Sequence, residues 1–335
     1  MISRFDNVNV SRQEEIVVHA SIGNTGIARH SLVAIGRTLL VALALFLAAS
    51  GCSVRNLAVN SMGDALAASG SGFGSDDDPE LISAAAPFSL KLMESVLAET
   101  PNHRGLLLAA TQGFVQYSYA FVEMPADELE DRDLQSAYAQ RERARRLYLR
   151  ARNYGLRGLE TTHSGLGKAL KTDPARAVAE ATTEDVALLY WTGVAWAAAI
   201  SLSKDDAFLI SELPIAEALV RRALELEEAY DHGTIHVFLI SYEMSRAGLS
   251  AVAPTRARRH FARAVELSGG MQAAPYVTFA ESVSIAERNR KEFEQLLQRA
   301  LKLDTAARPE WRLANVVMQR RARWLLARTD KLFAD

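Results

Sequence analysis

From Pro79 to the end of the chain, apolar residues recur at spacings of three and four, with polar residues between them. This period is typical of amphipathic α-helices, and the alternation expected of a half-buried β-strand is absent. The pattern therefore predicts an all-α fold for residues 79–335.

Proline and acidic residues indicate where several helices begin. We predict helices at Pro101–Val122 and at Pro125–Tyr154, the second with Asp127 in its first turn. Proline is tolerated at the start of a helix, because the first backbone N–H groups have no partner inside it. Three more helix starts are predicted on this ground, at Pro214, Pro254 and Pro309.

One predicted helix is apolar on nearly every side. Thr183, Glu184 and Asp185 form an N-terminal signal before Val186–Ile200, whose sequence is VALLYWTGVAWAAAI. A helix of this kind is buried in a core or spans a membrane. Because a span takes about 20 residues, we predict that this helix is the buried centre of the domain.

The second half of the chain repeats a four-residue pattern. The tetrads are Ala223–Leu226, Ala264–Leu267 and Ala300–Leu303, and each is predicted to end a helix before a turn. Tetratricopeptide (TPR) units are helix–turn–helix repeats of about 34 residues, which stack because each buries its neighbour's apolar face. We predict a TPR-like α-α superhelix of degenerate repeats, with a plain helical bundle as the alternative.

The first residues have the features of an export signal. Arg29, His30 and Arg37 precede the eleven apolar residues Leu39–Ala49, and small residues follow up to Cys52. A basic segment, a short apolar run and a small-residue cleavage site are typical of secretory signals. Ala49-Ser50-Gly51-Cys52 resembles the bacterial lipobox, which implies that Cys52 is lipidated and begins the mature chain. A free buried thiol is the alternative.

These features predict three segments. Residues 1–51 form a signal peptide with a lipobox, and residues 52–78 form a lipid-anchored N-terminal helix, near Val54–Ala68, and a flexible Gly/Ser/Asp loop. Residues 79–335 form the TPR-like helical domain. By the lipobox sorting rule, Ser53 implies the outer membrane, so we expect the protein on the periplasmic face of the envelope.

Composition and charge exclude little except nucleic-acid binding. The 335 residues are 49% hydrophobic and 23% charged, with a net charge of −2 and a single cysteine. Removal of residues 1–51 takes away four basic and three acidic residues, which leaves −3. Nucleic-acid-binding domains usually carry a strong basic excess, so no nucleic-acid partner is expected.

The chain contains no complete catalytic motif. Ser164 lacks the flanking glycines of a nucleophile elbow, and Gly167-Lys168 lacks the rest of a phosphate-binding loop. His232 and His236 have the spacing of two metal ligands on one helix face, but two histidines are not a site, and packing or capping is favoured for both. We therefore predict a protein that is not an enzyme and needs no cofactor or metal.

Two groups of side chains are candidates for ligand binding. The first is an arginine-rich stretch, in which an anion is conceivable but a solvated helix face is favoured: Arg141, Arg143, Arg145, Arg146, Arg150, Arg152 and Arg157. The second is a set of aromatic residues on two predicted central helices, whose polar groups suit a small-molecule pocket as well as a core. The candidate cavity residues are Tyr190, Trp191 and Trp196, followed by Tyr117, Tyr119 and His236.

The order and spacing of several short motifs resemble the TatT family, the T component associated with tripartite ATP-independent periplasmic (TRAP) transporters. The resemblance covers nearly all of residues 50–335. It rests on Tyr190–Gly193 with Trp196, Leu213-Pro214, Tyr230–Gly233 with His236, His260-Phe261, Asn315, Arg321–Leu326 and Leu332-Phe333.

The resemblance implies a helical homotrimer with cryptic TPR motifs and a cavity or pore in each protomer. It also implies association with a periplasmic substrate-binding P subunit, and the binding or delivery of a small organic ligand, either a carboxylate or a hydrophobic molecule. The alternative is a TPR scaffold that organises other envelope proteins without a ligand. A water-filled cavity lined by Tyr and Trp would favour the first interpretation, and a filled core would favour the second.

Overall fold

The computed structural model describes residues 60–67, 70–246 and 251–334, all within the compact unit Leu57–Asp335. Every regular element in these residues is helical, so the predicted all-α class is confirmed. Residues 60–67 are helical, within the predicted Val54–Ala68 helix. The predicted signal peptide and Cys52 lie outside the described residues.

The first half of the domain contains three helices of 15 to 27 residues and several short ones. The helices are α1 (Gly70–Gly74), α2 (Pro79–Glu99), α3 (Arg104–Ser118), α4 (Met124–Leu129), α5 (Leu134–Glu160), α6 (Leu166–Thr172) and α7 (Pro174–Ala177). A π-helical turn, Tyr119–Glu123, joins α3 to α4, and a 3-10 turn, Thr183–Asp185, precedes the next helix.

The second half alternates helices with tight turns. Its helices are α8 (Val186–Ser201), α9 (Ala207–Ser211), α10 (Leu213–Leu226), α11 (Thr234–Ser245), α12 (Ala253–Leu267), α13 (Ala274–Phe279), α14 (Arg290–Leu301), α15 (Arg312–Ala327) and α16 (Thr329–Leu332). The 3-10 turns Tyr230–Gly233 and Pro309–Trp311 precede α11 and α15, and a second π-helical turn, Ala280–Ser284, follows α13.

The predicted central helix is α8, and it is buried as expected. It packs against α3, α5 and α10, and eleven of its sixteen residues are buried. Its N-terminus is fixed by Asp185, whose carboxylate accepts a hydrogen bond from the Thr182 backbone N–H and pairs with Arg104 (2.6 Å) and His163 (2.9 Å). These charge-assisted bonds fix Asp185, the residue just before the apolar helix, in place.

Two main hydrophobic clusters make up the interior. The first extends over α2, α3, α5, α8 and α10, and the second over α13, α14 and α15. The tetrads fall at or near the ends of α10, α12 and α14, and the first alanine of each is buried: Ala223, Ala264 and Ala300. The helix–turn–helix order agrees with the repeat pattern, and the TPR-like superhelix stays a prediction.

Two local predictions are wrong. The predicted helix Pro125–Tyr154 is interrupted, because Asp133 accepts a hydrogen bond from the Ser136 N–H (3.0 Å) and so begins a new helix, α5. Part of the predicted loop at residues 69–78 is the helix α1, in which Phe73 packs against the first cluster. The burial of this aromatic residue offsets the low helix propensity of glycine.

A cavity between the two halves as the candidate functional site

A partly open cavity of about 700 Å³ lies between the first cluster and the C-terminal helices. Helices α2 and α3 form one wall, and α15 with the turn before it forms the opposite wall. Trp191 of α8 and the start of α11 close one end. This volume is within the range of about 300–1,000 Å³ that is common for small-molecule sites.

Three of the six predicted cavity residues line this space. Tyr117 is buried, and its hydroxyl accepts a hydrogen bond from Arg143 Nη2 (3.1 Å). Tyr119 is 39% exposed and lines the cavity, and burial of its hydroxyl raises the pKa of that group. The third predicted residue in the lining is Trp191, which is only 7% exposed.

The other three predicted residues lie outside the lining. The Tyr190 hydroxyl donates to the Thr234 carbonyl (3.3 Å). The Tyr190 ring packs against Trp191, with the two ring centroids 5.0 Å apart. Trp196 is 2% exposed, and its indole N–H donates to Glu212 Oε2 (2.9 Å). Neither side chain belongs to the cavity lining.

His236 forms a pair with a second histidine. The Nδ1 atoms of His236 and His260 are 2.8 Å apart. Burial lowers the pKa of both imidazoles, that of His260 to about 4, so one neutral ring donates its N–H to the lone pair of the other. His232 instead packs on Trp311 (ring centroids 4.9 Å apart). Among the described residues, no three side chains form a metal-binding group.

The predicted arginine-rich stretch is not an open anion site, because each of its members has a partner. Arg141 pairs with Asp127 and Glu130, and Arg145 and Arg146 pair with Glu142. The remaining members contact Tyr117, Glu94, Glu212 and the Pro101 carbonyl: Arg143, Arg150, Arg152 and Arg157.

A strained turn at one end of the cavity was missed in the sequence. Asp231, His232 and Gly233 all have positive φ (43°, 55° and 94°). Such conformations cost free energy for a non-glycine residue and concentrate at functional sites. Gly233 also packs closely on α12, because a Cβ there would lie 3.1 Å from Leu267. The turn brings Asp231 to the cavity lining.

Aromatic and amide side chains from distant parts of the chain complete the lining. The main ones that the sequence did not predict are Phe73, Gln112, Gln116, Phe121, Gln272 and Trp311. The only sequence signal at any of them is Pro309, which predicts the helix start next to Trp311. Their convergence depends on the packing of α2, α3 and α15 and has no local pattern.

The fold and the site define an all-helical protein with a partly open cavity between its N-terminal and C-terminal helices. The chain belongs to the TatT family of TRAP transporter T-components, whose sequence model matches residues 75–333. A T-component is an accessory of a transporter, so the family is one of transport components and not of enzymes, and its association indicates a location in the cell envelope.

One relative is similar along most of the chain. An uncharacterized protein of Treponema pallidum (strain Nichols) is 28% identical over 317 residues, which cover 89% of this chain and 98% of that protein. The similarity therefore extends over nearly the whole of the relative.

Proposed function

We propose that this T-component binds or passes a small organic ligand for a TRAP uptake system. The cavity of about 700 Å³ carries the proposal. Its aromatic walls and its few polar groups are the combination typical of ligand pockets. A filled interior would have favoured the TPR-scaffold alternative, in which no small molecule is bound.

The proposal includes an anchor and partners. The lipobox predicts a periplasmic lipoprotein held by Cys52, at the outer membrane if Ser53 directs it there. The family resemblance supports a homotrimer that docks a periplasmic substrate-binding P subunit. A lipid anchor would keep the cavity close to the membrane while the P subunit exchanges ligand with it.

Two tryptophans on the same helix provide a test. Trp191 lines the cavity, whereas Trp196 is bonded to Glu212 and lies under the Arg152 guanidinium, 4.9 Å from its ring centroid. Trp196→Ala should cost about 3–5 kcal/mol of the free energy of unfolding, which is usual for a buried tryptophan. Trp191→Ala should cost a similar amount, because Trp191 is also buried, 7% exposed against 2% for Trp196, so ligand binding and not stability separates the two variants.

Binding of octanol, measured by titration calorimetry, is the functional readout. The wild-type protein should bind one octanol per cavity, Trp191→Ala should weaken binding about tenfold, and the folded fraction of Trp196→Ala should retain it. A ligand cavity would be contradicted if the wild-type protein did not bind octanol. It would also be contradicted if the two tryptophan variants weakened octanol binding equally. Native mass spectrometry of protein purified from the original host reports the oligomer and any retained ligand together.

A further inference from the structure

One face of α2 is apolar and exposed. Phe88 is 73% exposed and Leu81 is 56% exposed, and their spacing of seven residues places them two turns apart on the same side of the helix. Ala84 and Ala85 lie on this side between them, and the half-buried Leu92 follows one turn after Phe88. These five residues, the α2 stripe, form a continuous apolar strip about three turns long.

The composition of α2 is unusual for a helix that is only partly buried. Lys91 is the one charged residue between Leu81 and Leu92. By length and composition the helix is apolar enough to cross a membrane: an 18-residue window has a mean hydropathy of 1.4, and 33% of that window is buried. A contiguous exposed apolar surface of this kind marks a place where a protein meets a partner or a membrane.

The helix does not cross a bilayer, because it is part of the folded domain. It packs against α3, and Glu94 accepts a hydrogen bond from the Tyr154 hydroxyl (2.8 Å) and pairs with Arg150 on α5. Its inner face, with Ile82 and Leu90, lines the cavity. The α2 stripe can therefore contact lipid only along the surface of a bilayer, as an interfacial amphipathic helix does.

The segment that leads back to Cys52 meets the domain at the C-terminal end of α2. His103, in the turn between α2 and α3, has its Nε2 atom 3.3 Å from the Asn60 carbonyl and 3.3 Å from Asp64. Asn60 is eight residues after Cys52, and a chain of that length spans at most about 30 Å. A lipid on Cys52 would therefore keep the bilayer within about one helix length of α2, which is itself about 32 Å long.

The α2 stripe is too small for a stable contact with a second protein molecule. Specific protein–protein interfaces bury about 800 Å² on each partner. Even a fully buried aromatic side chain contributes only about 150–250 Å², and Phe88 and Leu81 are the two large side chains of the stripe that are more than half exposed. A lipid surface needs no such area, because the anchor holds the protein there and the apolar side chains only insert into its boundary.

We infer that the α2 stripe lies on the surface of the lipid bilayer to which the chain is anchored, with Phe88 inserted at the boundary between head groups and acyl chains. The inference rests on the lipid anchor of the proposed function, because the anchor is what brings a bilayer close to α2. The opposite face of the same helix lines the cavity. The bilayer and the cavity are then separated by the width of one helix.

Two cysteine variants of the full chain, processed in its original host, test this position: Phe88→Cys and Phe208→Cys. Both phenylalanines are 73% exposed, so neither substitution removes a core side chain. Phe208 is the matched control, because it lies on α9 directly after the charged residues 204–206 and Ala207 and not in the α2 stripe. A lipidated Cys52 has no free thiol, so the new cysteine is the one that takes a thiol-reactive label.

The label is a nitrobenzoxadiazole fluorophore, and the protein is reconstituted into vesicles of phosphatidylethanolamine and phosphatidylglycerol. Lipid that carries a nitroxide quenches a fluorophore in the bilayer, whereas iodide quenches one in water. At position 88 the nitroxide lipid should quench severalfold more than iodide, and at position 208 the order should be reversed. A nitroxide near the head groups should quench position 88 more than one at the chain end, because an interfacial helix inserts only about 5–10 Å.

The outcomes distinguish the inference from the proposed anchor. Quenching of position 88 mainly by iodide would place the α2 stripe in water, and quenching by neither agent would show that protein, such as a second copy of the chain, covers it. Either result, or equal nitroxide quenching at positions 88 and 208, would overturn the inference and leave the anchor standing. If the protein does not float with the vesicles, the anchor and the inference fail together.

Discussion

At the scale of single residues, Glu123 shows how the interior changes an ionisable group. Its carboxylate lies in the π-helical turn and accepts a hydrogen bond from the Tyr148 hydroxyl. Burial raises its pKa to about 7, with Asp127 adding to the rise and Tyr148 and Arg321 opposing it. At pH 8 the folded protein therefore holds a carboxylate that would be more stable in water.

We expect Glu123→Gln to stabilise the protein in a pH-dependent way. Between pH 4.5 and about 7, Glu123 keeps its proton in the folded state but has lost it in the unfolded state. The free energy of unfolding of the wild-type protein therefore falls as pH rises through this window. Glutamine removes that cost and keeps an acceptor for Tyr148. Denaturant unfolding at pH 4.5 and at pH 8 measures the difference in free energy of unfolding between the variant and the wild type. This difference should grow in favour of the variant by roughly 2–3 kcal/mol from the lower to the higher pH.

Glu128→Gln on α4 is the control for loss of a charge. Its free energy of unfolding relative to the wild type should not rise between pH 4.5 and pH 8. If Glu123→Gln behaves in the same way as this control, the carboxyl at position 123 is solvated and its pKa is not raised.

Sequence reasoning found some of the residues that matter and missed others for physical reasons. Trp191 was predicted because it lies on a helix that is apolar on all sides, and the structure places it in the lining. Trp196 and Tyr190 satisfied the same criterion equally well, since composition does not reveal which side of a buried helix faces a void. Asp231 stands two residues before a glycine in a turn, and only the positive φ values and its place in the cavity lining mark it out.

At the scale of helices, the contact between α5 and α8 depends on the absence of a side chain. A Cβ at Gly155 would lie 2.1 Å from Thr192 Oγ1 and 3.2 Å from Thr111 on α3. The three helices therefore approach closely at one point, and neither threonine can move away, because both are fully buried.

Gly155→Ala should accordingly destabilise the domain although alanine is the better helix former. The gain in helix propensity is about 1 kcal/mol, and overpacking a rigid contact costs about 1–3 kcal/mol. The close approach to Thr192 puts this site at the upper end, so we expect a net loss of about 1–2 kcal/mol in thermal or denaturant unfolding.

Gly105→Ala in the first turn of α3 is the matched substitution. Its nearest neighbour would be a His103 ring atom at 3.6 Å, an ordinary contact, so its stability should be unchanged or slightly higher. Equal effects at the two positions would show that the α5–α8 contact can relax.

Helix positions were largely predictable because proline and capping residues act locally. Val186–Ile200 and the starts near Pro214, Pro254 and Pro309 agree with α8, α10, α12 and the turn before α15. The break before α5 was missed, because it depends on one side-chain cap, Asp133, and not on the apolar pattern. The π-helical turns were not predictable either, since the extra residue in each is accommodated by packing against other helices.

At the scale of the whole molecule, one arginine joins segments that are far apart in the chain. Arg321 on α15 pairs with Asp127 Oδ2 on α4 (2.8 Å) and with Glu281 in the second π-helical turn. Burial lowers the pKa of the Arg321 guanidinium, but Glu281 and the other acidic neighbours raise it by more, so the group stays charged. It therefore holds the wall of the cavity formed by α15 against the N-terminal half.

Replacing Arg321 with Met should leave Glu281 with an uncompensated charge. Removing one partner of a buried pair costs roughly 3–5 kcal/mol. The carboxylates of Asp127 and Glu281 are 27% and 29% exposed, so we expect a value near the lower end, measured by denaturant unfolding.

Arg320→Met provides the comparison one residue away. Arg320 pairs with Glu80 on the surface, where both side chains are more than half exposed, and such pairs contribute about 0–1 kcal/mol. A loss at Arg321 no larger than at Arg320 would show that the link between the two halves lies elsewhere.

The four tryptophans of the chain fall into two pairs with different surroundings. Trp191 and Trp311 line the cavity, whereas Trp196 and Trp324 lie outside its lining. Arginine guanidinium groups lie over Trp196, Trp324 and Trp311, so the cavity is what distinguishes the two pairs. Indole emission depends on the polarity and the quenchers around the ring, so a molecule that enters the cavity acts on one pair and leaves the other as an internal reference. The purified protein therefore carries its own optical reporter of loading, which needs no label.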